Sequence, residues 1–151
     1  MKNNKKLSNI KILIKNDILI LNFKNNFSLM NAILDPISNI YEETYYNRIG
    51  HNFPSEYIPN NHILSQYKNK CKYVIGISNY KDLSHELAHA KFYLDSDYRN
   101  KIIIEWNSLD LYKQNYLYNF LKKLGYSDKV IIDEYQAYKY TEPHNFFGIK
   151  L

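Results

Sequence analysis

The stretch His85-Glu86-Leu87-Ala88-His89 constrains this chain more than any other. On an α-helix, residues four apart lie on one face, one turn from each other. Two imidazoles at that spacing can bind one metal ion through their ring nitrogens. A helix with that task has to be packed into the molecule, with a second element reaching the same point. Leu87, Ala88 and Ala90 suit a tightly packed central helix, and Ser84 or Asp82 can cap its start.

Glu86 follows the first histidine, about 100° round the helix, where it can reach water held by the metal. Zn²⁺ lowers the pKa of such a water, and the carboxylate removes its proton as it attacks a carbonyl. A purely structural zinc site has no need of Glu86.

A catalytic zinc site takes a third protein ligand and keeps one position open. Three residues are candidates. Asp95 falls six residues after His89, but Phe92 stands where the chain needs a glycine to turn back. Glu105 lies in Ile-Ile-Ile-Glu-Trp, after a segment that is short for a returning helix. Glu134 is preferred. On a helix it shares a face with Val130, Ile131, Ala137 and Tyr138, and a carboxylate inside an apolar stripe is costly unless paired or metal-bound. A hydrogen bond to a core tyrosine, Arg48 or Arg99 is the plainer alternative. Asp133 lies off that stripe, as a surface residue or one that orients a ligand histidine.

With these residues the chain resembles the zincin-type zinc metallopeptidases with an HExxH motif, and among them the small intracellular gluzincins such as those that cleave repressors. The resemblance spans roughly residues 72–140. It implies zinc held by His85, His89 and Glu134, with Glu86 as general base. It also implies a sheet edge at Tyr73–Ile77, where an extended substrate pairs by β-addition. The group that stabilises the oxyanion is open between Tyr138 and His144, with Tyr138 the preferred catalytic candidate.

The remaining pattern predicts an α+β fold in one domain, 1–151: a small, partly antiparallel sheet packed on the active-site helix, with a helical C-terminal half. It is expected to be a minimal zincin-like domain. Residues 10–14 and 18–23 read as a hairpin around Lys15-Asn16-Asp17. Residues 28–34 read as a short helix, and Asp35-Pro36 as the cap and first residue of a second helix running to about Arg48. Gly50 reads as its stop, and 50–62, with Pro54 and Pro59, as loop. Residues 72–77 read as a strand. Helices are expected at 82–94, 97–106, 108–123 with Gly125 as cap, and 128–140. His51 and His62 read as surface residues, and Cys71 as a buried or inert thiol.

Composition sets the limits. With 151 residues and 45% hydrophobic content, the chain can bury a real core. One cysteine excludes a disulfide framework and a four-cysteine zinc site, and fits a reducing, intracellular (cytoplasmic) setting. No apolar run is long enough to span a membrane, so no membrane partner is expected. The excess of Asn, Lys, Ile and Tyr follows AT-rich codons and suggests a microbial or large-DNA-virus source. It also discounts any single tyrosine as catalytic. The net charge of +5 comes from scattered lysines, with one cluster at Lys2, Lys5 and Lys6. Nucleic acid is therefore the weaker expectation as partner, and a protein or peptide substrate the stronger. Two rivals to peptide-bond hydrolysis stay open: a catalytically inactive zincin-like binding module, and a basic nucleic-acid-associated protein.

Overall fold

The computed structural model describes residues 7–43 and 48–151. The Lys2, Lys5 and Lys6 cluster lies outside the described residues. The hairpin forms where the alternating apolar runs place it, as β1 (Lys11–Lys15) and β2 (Ile18–Asn22). Asn16 and Asp17 take φ of 52° and 65°, the left-handed pair that a two-residue hairpin turn requires. Two further strands follow, β3 (Gly50–Pro54) and β4 (Tyr73–Ile77), and the sheet order is β1-β2-β4-β3. The β2–β4 pair is parallel and the other two pairs are antiparallel. Among the described residues five α-helices complete the chain: α1 (Phe27–Glu42), α2 (Leu83–Leu94), α3 (Ser96–Asn107), α4 (Leu111–Lys123) and α5 (Ile131–Thr141). This is the α+β class the pattern predicts. None of these helices is long and apolar enough to cross a membrane.

One helix replaces the two expected between residues 28 and 48. Asn26 is its cap, accepting from Leu29 N at 3.0 Å, and Pro36 lies inside. Interior proline costs about 3 kcal/mol. Met30, Ile33, Leu34 and Ile37 nevertheless keep one helical period across it, and all four are buried against the sheet. Their packing outweighs the lost hydrogen bond. The helix ends at Glu43, which adopts φ 55°, so the expected run to Arg48 is not made; residues 44–47 of that run lie outside the described residues.

Of the segment expected as loop, residues 50–54 form β3 instead, paired antiparallel with β4 in the register Gly50–Ile77 to Pro54–Tyr73, while 55–62 are a short turn and loop. The side chains of β3 alternate. His51 and Phe53 face α1, while Gly50 and Asn52 face α2. The polar residues are tolerated because long-range partners satisfy them. This placement also corrects β4. Its five residues are all buried between β2 and β3, so Tyr73–Ile77 is not a sheet edge. The edge beside α2 is β3, whose His51–Pro54 are buried and whose Gly50 alone is partly accessible.

Neither His51 nor His62 is a surface residue. His62 is half-buried and ties its loop to α1, with Nε2 2.9 Å from the Ile33 carbonyl while Nδ1 accepts from Leu64 N. His51 is fully buried, with Nδ1 2.7 Å from Ser38 Oγ and Nε2 2.8 Å from Asn31 Oδ1. Burial, with the Arg48 charge nearby, pushes its pKa from 6.5 down to about 3. A depressed histidine stabilises the fold in its neutral form, fully above pH 6.5, and loses that contribution as pH falls toward 3. The stability advantage of the wild type over His51→Gln is expected to be constant above pH 7. Below 6.5 it should shrink by about 1.4 kcal/mol per pH unit. Urea unfolding at pH 4 to 8 measures it, and a pH-independent difference would contradict this account.

Among the described residues the core has three parts. One fills the space between the sheet and α1, with Leu19, Leu21, Phe23 and Phe53. A second joins α3, α4 and α5 around Trp106, Leu117, Leu121 and Tyr135. The third is a thin layer, Tyr73, Ile75, Ile77 and Ala90, between β4 and α2. Gly125 caps the end of α4 with φ 103°, as expected. Helix α2 is thus held between the sheet and α5, although Leu87 itself faces outward at 37% exposure.

Candidate metal centre

Helix α2 presents His85, Glu86 and His89 to the gap between itself, β3 and α5. The turn Tyr80–Asp82 leads into it. Asn79 caps that turn, and Asp82 occupies the helix cap position without a side-chain bond. The Nε2 atoms of His85 and His89 are 3.1 Å apart. Glu134, from α5, places Oε2 3.4 Å from His85 Nε2 and Oε1 3.4 Å from His89 Nε2. Among the described residues, His85, His89 and Glu134 form a group able to hold a metal ion. His89 and Glu134 are buried, and His85, at 16% side-chain exposure, lines the cavity over the three ligands.

These residues fit zinc on three counts. Two nitrogens and a carboxylate are a recurring catalytic zinc ligand set. Bonds of 2.0–2.1 Å in tetrahedral geometry separate the ligand atoms by about 3.3–3.4 Å, close to the observed 3.1 and 3.4 Å. The carboxylates of Glu86, Asp133 and Glu134 are all buried around the two imidazoles, a set of negative groups that a cation would balance. Burial alone would raise the Glu134 carboxyl, but the His89 charge and contact with both imidazoles hold it at about 2. Burial likewise favours neutral His89, and the Asp133 and Glu134 charges overcome this to raise it well above its usual value.

Support comes from behind the ligands. Asp133 Oδ1 lies 2.9 Å from His89 Nδ1, so of its two readings the orienting one matches the geometry. Gln136, fully buried, donates to Asp133 Oδ1 at 3.0 Å and to the Ala88 carbonyl at 3.1 Å. Tyr98 OH donates in turn to Gln136 Oε1 at 2.9 Å. Loss of such a support typically lowers metal affinity 10–100-fold, roughly. Asp133→Asn is expected to weaken zinc binding within that range, read by competition with a chelating dye; unchanged affinity would separate Asp133 from the site.

The two other ligand candidates are committed elsewhere. Asp95 caps α3, accepting from Tyr98 N at 3.0 Å. Glu105 accepts from Tyr135 and Tyr140 at 2.7 and 2.8 Å and pairs with Lys139. Among the described residues, the two arginines suggested as partners for Glu134 are engaged with other groups. Arg48 pairs with Glu42 and Asp35, and Arg99 donates to the Phe92 and Tyr93 carbonyls.

A cavity of about 290 Å³ opens over the three ligands, and Glu86, Asn52 and Tyr138 also line it. Glu86 is buried. That burial raises its carboxyl pKa, an effect partly offset by the His89 and His85 charges. Tyr138 packs its ring 4.6 Å from that of His85, and its hydroxyl is 2.6 Å from that of Tyr126. Burial is the main cause that pushes its phenol up to about 12, so it is a neutral donor near pH 7. His144 is exposed and does not line the cavity.

Sequence reasoning missed Asn52, Gly50, Gln136 and Tyr126. Gly50 and Asn52 sit in a segment with no strand pattern. Gln136 alone carried a signal, one turn after Asp133 on the same helix. No protein-family model, curated protein or solved structure matches the chain.

Proposed function

We propose that this protein is a zinc-dependent peptidase of the zincin type, acting on protein or peptide substrates. The observation that carries the reading is the convergence of His85, His89 and Glu134 from two helices, with the Glu86 carboxylate beside them in one cavity. The three ligands would hold zinc, which when bound supplies Lewis acidity to a water and a carbonyl. The chain's own residues do the rest. Glu86 takes a proton from the attacking water as its oxygen bonds to the scissile carbonyl carbon. As the carbon–nitrogen bond breaks, Glu86 returns the proton to the amine. Tyr138, which lines the cavity and carries a neutral hydroxyl 2.6 Å from that of Tyr126, is the candidate donor to the developing oxyanion. A single buried cysteine is in keeping with an intracellular, cytoplasmic setting.

The purified protein is expected to carry about one zinc per chain and to cleave a fluorescein-labelled casein. A chelator should abolish cleavage and added zinc restore it. Cleavage that survives complete metal removal would refute the reading.

A further inference from the structure

The Glu86 carboxylate is held by residues distant in sequence. Asn52 Nδ2, from β3, donates to Glu86 Oε2 at 2.9 Å. Asn52 Oδ1 accepts from Tyr73 OH, on β4, at 2.6 Å. The two bonds support each other. With its oxygen engaged by the phenol, the amide can only turn its NH₂ toward Glu86, the end a carboxylate needs. All three side chains are buried, so water does not compete for these bonds. Gly50, two residues before Asn52 on the same strand face, closes the other side. A Cβ at Gly50 would collide with Glu86 Oε1 and lie 2.9 Å from Cδ. One carboxylate oxygen is therefore anchored, and the other lies against Gly50, which lines the same cavity as Glu86.

We propose that Asn52 is the positioning residue for Glu86, with Tyr73 fixing its amide and Gly50 leaving the space. The proposal rests on Glu86 being the general base. Asn52 supplies a neutral donor to one oxygen and leaves Oε1 to take the proton. A carboxylate at position 52 would repel Glu86, and a shorter side chain would release it.

The test is a double-mutant cycle on zinc-loaded protein, with the labelled casein as substrate. Asn52→Ala is expected to lower kcat roughly 10- to 100-fold, the scale on which a misplaced catalytic group acts, with KM and zinc content unchanged. In a Glu86→Gln background the same substitution should cost nothing further, because its effect passes through Glu86. Tyr73→Phe keeps the ring and frees the amide, and should give a smaller loss in kcat alone. It serves also if Asn52→Ala does not fold. A second readout needs no catalysis: the urea midpoints of Asn52→Ala, Glu86→Gln and the double variant should be non-additive. Equal losses in both backgrounds, or additive midpoints, would overturn the positioning role. A wild type that binds zinc but never cleaves overturns the peptidase reading and this role with it. An active wild type with unchanged kcat in both Asn52→Ala and Tyr73→Phe overturns this role alone.

Discussion

Glu134→Ala is expected to remove stoichiometric zinc binding. The substitution leaves only the two imidazoles of one helix and takes away the anionic ligand, whose Oε1 and Oε2 each lie 3.4 Å from one of them. Two protein ligands are one short of the three a catalytic tetrahedral site uses, so the loss should exceed the roughly 10–100-fold of a supporting residue. Asp95→Ala and Glu105→Ala are the controls. The first loses a helix cap, worth about 1 kcal/mol, and the second loses contacts to Tyr135, Tyr140 and Lys139. Both should keep zinc. Metal content after dialysis, by atomic absorption, reads all three. Retention in Glu134→Ala with loss in either control would move the third ligand.

Glu86→Gln should lower kcat by roughly 10²–10⁴-fold and leave zinc in place. Glutamine has the same shape, and its amide oxygen can accept from Asn52 as Glu86 Oε2 does at 2.9 Å. What it lacks is a base. The fold should not suffer, because a neutral amide replaces a carboxylate whose burial raises its pKa. Unchanged or higher thermal stability, full zinc content and a collapsed kcat form one expected pattern. Hydrolysis at the wild-type rate would mean that Glu86 is not the base.

The residues of the candidate metal centre were readable in the sequence because local geometry carries them. His85 and His89 follow from a four-residue spacing, and Glu86 from its place beside the first histidine. Glu134 was readable for a different reason: a lone carboxylate within the apolar stripe of Val130, Ile131, Ala137 and Tyr138 has to be accounted for. Most helices and the hairpin were visible for the same local reason, since their apolar residues keep one period. Where Pro36 interrupts such a period, the local rule for proline predicted a break, and the burial of Ile33, Leu34 and Ile37 against the sheet overrode it.

Strand β3 was not readable. Gly50, His51, Asn52 and Pro54 have no strand propensity, and nothing nearby in sequence reveals their partners. His51 is satisfied by Ser38 and Asn31 on one side of the sheet, and Asn52 by Tyr73 and Glu86 on the other. A buried polar residue is stable only when hydrogen-bonded, and those bonds exist only after α1, β4 and α2 have come together. The sequence alone therefore determined which helix bears the histidine pair and offered three carboxylates to join it, Glu134 preferred; the fold brought Glu134, and neither Asp95 nor Glu105, to the pair. The tertiary structure decided that β4 is central, that β3 is the edge, and that the Glu86 carboxylate is held from that edge. The physical reason is range: helical spacing acts over four residues, whereas the contacts that orient Glu86 span 34 residues from Asn52 and, for Tyr73 to Asn52, a further 21.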